Sequence, residues 1–200
     1  FTPDFNTMYY CICKNSKKKQ YGCQIAVSNR SGDTWGKGKT IPISGDSITI
    51  AHPAISPDEL TLYFVSDKEE GIGGKDIWMV TRKTKSDDFS EPENLGNVIN
   101  TPGNEMFPYV HPDGTLYFSS DGHVGIGGLD IFKAKKDAKG NWTIENLRTP
   151  INSPYDDFGI VFQKEVEAGI FSSTRNGKDD DLYAFILPPL KFNITGIVKN

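Results

Sequence analysis

A chain of 200 residues can bury the core of one sizeable domain. With Lys and Arg (22) nearly balancing Asp and Glu (26), the net charge is -4 and the pI about 5.4, which excludes the basic footprint of a nucleic-acid binder. No apolar run approaches the ~18 residues that read as a membrane span. Cysteine usage is limited to Cys11, Cys13 and Cys23, which permits at most one internal disulfide, for example Cys23 with either of the others. A C-x-C pair lacks the spacing of a structural zinc ribbon.

In chain order, the first unit carries a Thr2-Pro3-Asp4 turn, the strands Met8-Tyr9-Tyr10 and Gln24-Ile25-Ala26-Val27, and a lysine-rich insert at 15–20 between them. The second unit has His52-Pro53-Ala54-Ile55, then a Ser56-Pro57-Asp58 turn and the buried-type strand Leu62-Tyr63-Phe64-Val65. A glycine-rich loop at 71–74 and the third strand Asp76-Ile77-Trp78 follow. The clearest copy spans 105–134. Its turn is His111-Pro112-Asp113-Gly114, in which Pro presets φ, Asp can bond its own backbone and Gly can take φ > 0. Leu116-Tyr117-Phe118, a loop with four glycines between Asp121 and Gly128, and Asp130-Ile131-Phe132 complete it. A looser copy reads Phe158-Gly159-Ile160-Val161-Phe162, Gly169-Ile170-Phe171-Ser172-Ser173 and Asp181-Leu182-Tyr183.

Three sets of markers share one period. Gln24, Asp76, Asp130 and Asp181 lie 52, 54 and 51 residues apart, and Trp35, Phe89 and Trp142 lie 54 and 53 apart. The linker Ile99-Asn100-Thr101-Pro102 returns as Ile151-Asn152-Ser153-Pro154. Short strands of this spacing predict an all-β β-propeller with four-stranded blades, about four blades' worth, over 1–187. The units fall at approximately 1–45, 46–98, 99–150 and 151–187. The first copy lacks the strand before its Pro-Asp turn, so further chain is expected upstream. Residues 188–200, with one alternating strand at 191–200, read as a linker and the first strand of a following β-sandwich-like domain.

The acids invite a chemical reading, but repetition argues against it. Asp76, Asp130 and Asp181 recur at one unit position, as do Asp58 and Asp113 in the turns. A group repeated in every blade is more simply an acceptor for loop N–H groups than a catalyst. The loops at 71–76 and 125–130 faintly resemble the calcium nonapeptide, so Asp67 with Asp76, or Asp121 with Asp130, is the weak candidate for a cation; otherwise no metal and no cofactor is expected. The stretch from Ser28 to Trp35 is similar to the Asp-box of sialidase-type propellers, with Arg30 where the aspartate belongs, and such a box is a turn staple. His52, His111 and His123 occupy non-equivalent positions with no Gly-x-Ser-x-Gly elbow, so turn and surface roles are expected. Residues that differ between copies at the loop tips, Glu69, Glu70, His123, Val124, Arg175 and Asn176, are the candidate interaction positions.

Taken together, Ser56-Pro57-Asp58 or His111-Pro112-Asp113-Gly114, Leu-Tyr-Phe-Ser-Ser-Asp, Gly-Ile-Gly-Gly-x-Asp-Ile and Ile-Asn-Thr-Pro resemble the WD40-like, TolB-related propeller repeats of Bacteroidetes OmpA-family envelope proteins. The resemblance covers about 1–187, and Phe192-Asn193-Ile194-Thr195-Gly196-Ile197-Val198 is similar to the opening strand of a carboxypeptidase-regulatory-like domain. It implies a non-enzymatic interaction platform in the periplasm at the outer membrane, with partners in an envelope or secretion complex such as that of type IX secretion. Peptidoglycan would be held only by a domain outside 1–200. The alternatives are a propeller that binds a glycan or peptide in its central channel, a glycosidase, and the substrate-gating propeller of a peptidase.

Overall fold

The computed structural model describes residues 1–13, 22–43, 48–163, 166–177 and 179–187. The lysine-rich insert and the strand expected at 191–200 lie outside the described residues. Four antiparallel sheets follow one another along the chain. Sheet 1 holds β1 (Thr7–Cys13), β2 (Cys23–Ser31), β3 (Thr34–Trp35) and β4 (Lys39–Thr40). Sheet 2 holds β5 (Ile50–Ile55), β6 (Thr61–Ser66), β7 (Asp76–Thr81) and β8 (Glu93–Asn94). Sheet 3 holds β9 (Glu105–Val110), β10 (Leu116–Ser120), β11 (Asp130–Lys136) and β12 (Trp142–Asn146), and sheet 4 holds β13 (Asp157–Phe162), β14 (Ala168–Ser173) and β15 (Asp181–Ile186). The sheets are the blades of a four-blade β-propeller, and sheets 2 to 4 each meander outward from an inner strand. The described residues contain no helix long and apolar enough to cross a membrane.

The continuous apolar runs of the middle strands follow from burial on both faces. Side chains alternate across a strand, and here the two faces enter different cores. Leu62 and Phe64 of β6 join Ile25, Ile50, Trp78 and Val80 between sheets 1 and 2. Their neighbour Tyr63 packs with Ile77, Leu116 and Phe118 between sheets 2 and 3. Tyr117 joins Ile131, Ile160 and Phe171 between sheets 3 and 4. Phe64 and Phe118 are fully buried, and truncating such a ring to Ala costs about 3–5 kcal/mol.

Sheet 1 departs from the others at its inner edge. Its β1 follows the Thr2-Pro3-Asp4 turn, as β6 follows Ser56-Pro57-Asp58 and β10 follows His111-Pro112-Asp113, so it is the second strand of its blade. Among the described residues no strand pairs with its other edge. Consecutive sheets touch in chain order, and among the described residues no strand of sheet 4 meets a strand of sheet 1. The arc is therefore open on that side. Cys13 and Cys23 face each other across β1 and β2 and form a disulfide, while Cys11 is a free, half-buried thiol.

Candidate functional site

At one end of the blades the turns between first and second strands share one geometry. The N–H groups of Thr2, Ser56, His111 and Gln163 donate to the carbonyls of Thr7, Thr61, Thr115 and Ala168. Within three of these turns a carboxylate closes the loop. Asp4 accepts from the Thr2 hydroxyl at 2.6 Å, Asp58 from the Ser56 hydroxyl at 2.5 Å, and Asp113 pairs with His111 Nδ1 at 2.9 Å. The Ser56 hydroxyl and the Leu60 N–H hold the Asp58 carboxyl below its usual range. Burial works against ionisation of Asp113, but Lys135, Thr115 and His111 outweigh it and hold that group well below the usual carboxylate range.

At the other end, the carboxylates that open the third strands serve the glycine-rich loops. Asp76 accepts N–H bonds from Ile72 and from Gly73 (3.1 Å) and an amide bond from Asn94 (2.8 Å). Asp130 accepts from Ile126 (2.8 Å) and Gly127 (3.0 Å), and Asp181 from Asn176 (2.8 Å). Asp67 and Asp121 instead anchor the residue before the inner strand, through the N–H of Thr49 (2.9 Å) and of Asn104 (2.6 Å). Each candidate cation pair is thus split between separate backbone partners. Among the described residues no three His, Cys, Asp or Glu side chains gather as a metal site.

The glycine-rich loops are themselves pressed onto the next blade. A Cβ on Gly73 would lie 2.0 Å from the Thr101 carbonyl oxygen, and one on Gly127 would lie 2.1 Å from that of Tyr155. Only glycine fits so close a backbone approach. The Gly74 N–H donates to Gly103 and the Glu105 N–H to Lys75, fastening sheet 2 to sheet 3. Much of this face is consumed in joining blades.

The candidate interaction residues divide accordingly. Glu69, Glu70, Val124 and Asn176 are exposed, Val124 at 95%. His123 and Arg175 turn inward. His123 Nε2 lies 2.8 Å from the Ile99 carbonyl and its ring packs on Phe118 and Phe132. Arg175 donates to the equivalent carbonyl, that of Ile151, at 2.6 Å, pairs with the buried Asp157 at 2.6 Å, and lies over Phe171 and Tyr183. In the second unit Lys68 lies over Trp78. A basic side chain shortly after the second strand, beside an aromatic pair, was the available signal for these bolts.

The axis is lined by positions that share no residue type from copy to copy. Each inner strand of sheets 2 to 4 is bulged, with register shifts at Ala51/Ala54, at the site opposite Tyr117/Ser119, and at Phe158/Val161. The bulges place His52 (φ 47°), Phe107 (φ 54°) and Gly159 (φ 64°), three equivalent positions, in the left-handed region. His52, read as a surface or turn residue, stacks on Phe107 at 4.4 Å between ring centroids, and Phe107 meets Phe158 at 4.9 Å. Burial, reinforced by Lys75, pushes the His52 imidazole below its ordinary pKa. The Phe107 N–H donates to His52 Nδ1 at 3.3 Å, which places the proton of the neutral ring on Nε2.

The His52 and Phe107 rings line a cavity of about 1060 Å³ on the inner-strand side of the arc. Tyr9, Tyr109 and Phe162 extend its aromatic wall, and prolines 3, 53, 57, 108 and 112 add to it. Pro53 and Pro108 follow the left-handed residues directly, where they remove N–H groups that a bulge leaves unpaired. Glu167 is the one carboxylate among the described lining residues, and no lysine or arginine joins it.

The sheets and their axis define a β-propeller, and solved structures of that class are similar to this chain. TolB from Acinetobacter baumannii matches with a TM-score of 0.57 and 16% identity, over 92% of this chain and 39% of that one. A putative TolB from Agrobacterium tumefaciens matches at 0.52 and 16%, over 88% of this chain and 57% of that one. An endo-arabinase from Bacteroides thetaiotaomicron VPI-5482 matches at 0.61 and 15%, over 93% and 72%. The chain spans well under two thirds of the length of either TolB structure. At these identities the likeness is one of fold, shared by a glycosidase and by TolB alike. No protein-family profile and no curated protein matches the sequence.

Proposed function

We propose that this chain is a non-enzymatic propeller scaffold that binds other proteins in a periplasmic, outer-membrane-associated complex. The observation that carries the reading is the axial cavity, whose wall of aromatic rings and prolines matches the apolar side chains of a protein partner. A glycosidase of the usual kind places two carboxylates about a bond, whereas Glu167 is the one carboxylate among the described lining residues. Asp76 and Asp130 accept from backbone N–H groups of their loops and support the blades. The repeat motifs favour a PorE-like member of the type IX secretion apparatus, with peptidoglycan held by an OmpA-like domain beyond 1–200.

The test is affinity capture from a bacterial envelope extract with the folded propeller as bait. Recovery of secretion-complex proteins supports the scaffold, and recovery of nothing above a control propeller overturns it. A panel of chromogenic glycosides, turned over at a rate dependent on Glu167, would replace it with the enzyme reading.

A further inference from the structure

We infer that the axial cavity binds an extended peptide segment of a partner protein, one that carries apolar or aromatic side chains and a single basic residue. The inference rests on the scaffold reading and names the partner's contact.

Three observations converge on it. His52 and Phe107 hold bulky side chains at positive φ, a conformation that costs of order 1–3 kcal/mol and persists where surroundings or function require it. Gly159 occupies the same place in sheet 4 without a side chain, so the blade architecture itself does not demand a ring there. The two rings stack on each other and line the cavity instead of entering any of the three inter-blade cores. The strain thus serves the cavity.

Charge then selects among apolar occupants. The described lining holds one carboxylate, Glu167, with no lysine or arginine, and burial favours the neutral form of His52. An occupant with one ammonium or guanidinium group complements Glu167 and can also meet the aromatic faces of Tyr109 and Phe162. His52 Nε2–H is a donor suited to a peptide carbonyl. A volume of about 1060 Å³ sits at the upper end of the roughly 300–1,000 Å³ typical of ligand pockets, which suits several residues of extended chain.

The experiment uses fluorescence anisotropy with a labelled hexapeptide of phenylalanine, proline and leucine around one lysine, its glutamate counterpart, and cellohexaose as competitor. The lysine peptide is expected to bind, and the glutamate peptide about tenfold more weakly. Phe107→Gly removes the ring while relieving the positive φ, so the fold survives. That variant is expected to lose affinity by about tenfold or more at an unchanged or higher Tm. Glu167→Gln brings the two peptides to nearly equal affinity. No binding of either peptide up to about 1 mM, displacement by cellohexaose, or undiminished binding by Phe107→Gly overturns the inference. If Phe107→Gly still captures the envelope partners recovered by the parent chain, the scaffold stands and the axial site falls. If neither captures any, the scaffold reading itself falls.

Discussion

Asn100 grips Ile77 as a neighbouring strand would: its Oδ1 accepts the Ile77 N–H at 2.8 Å and its Nδ2 donates to the Ile77 carbonyl at 2.9 Å. Asn152 repeats both bonds on Ile131, at 2.8 and 2.9 Å. The linker asparagine of one unit thereby closes the third strand of the unit before it, from a fully buried position.

Asn100→Asp keeps the size of the side chain but turns a carboxylate oxygen toward the Ile77 carbonyl. Leaving buried groups unpaired costs about 1–3 kcal/mol, and more when a charge is involved. Urea unfolding is expected to show the Asp variant below Asn100→Ala, and both below the parent. Equal stability of parent and Asp variant would contradict the pairing.

Asp76→Ala and Asp130→Ala each free two loop N–H groups and are expected to lose about 1–3 kcal/mol. Hydrogen exchange should localise the change to 71–75 and 125–129. Calcium at millimolar concentration is expected to leave the parent's Tm unchanged, because among the described residues no three His, Cys, Asp or Glu side chains gather at either loop.

The depressed pKa of His52 ties stability to pH. As pH falls through about 6.5, the unfolded chain takes up this proton before the folded one does. The stability contributed by the neutral ring is therefore present above that value and lost as pH falls through the lower, folded pKa. His52→Phe copies the residue that sheet 3 carries at the same place. Its Tm is expected to fall less than the parent's between pH 8 and pH 5, as read by circular dichroism.

Reduction of the Cys13–Cys23 bridge removes a cross-link closing ten residues. The expected loss is about 2–3 kcal/mol, read as a lower Tm in reductant. A Cys13→Ser, Cys23→Ser double variant should show the same lower Tm with or without reductant.

The repeat was legible because its markers are chemically loud. Pro-Asp turns, Leu-Tyr-Phe strands and clustered glycines each dictate backbone geometry locally, so the propeller follows from the sequence. Ile-Asn-Thr-Pro was visible as a recurring linker, but the grip of Asn100 on Ile77 spans 23 residues and leaves no local trace. The axial bulges were hidden for a different reason. His52, Phe107 and Gly159 share a backbone conformation and not a residue type, and two of them carry side chains that ordinarily avoid it. His123 and Arg175 were misplaced because polarity in a loop reads as exposure. Aromatic pairs and buried carbonyls drew them inward.

The cores lie between sheets, so the repeat written in the sequence and the unit that packs are out of phase by half a blade. Tyr63 and Tyr117 each turn away from the core behind them to face the blade ahead, where Leu116 and Phe118, or Ile160 and Phe171, of the following copy join residues of their own. An in-frame duplication or loss of one period therefore presents like faces to like faces. Propellers of this kind can change their number of blades, and with it the width of the axial channel, without inventing a new interface.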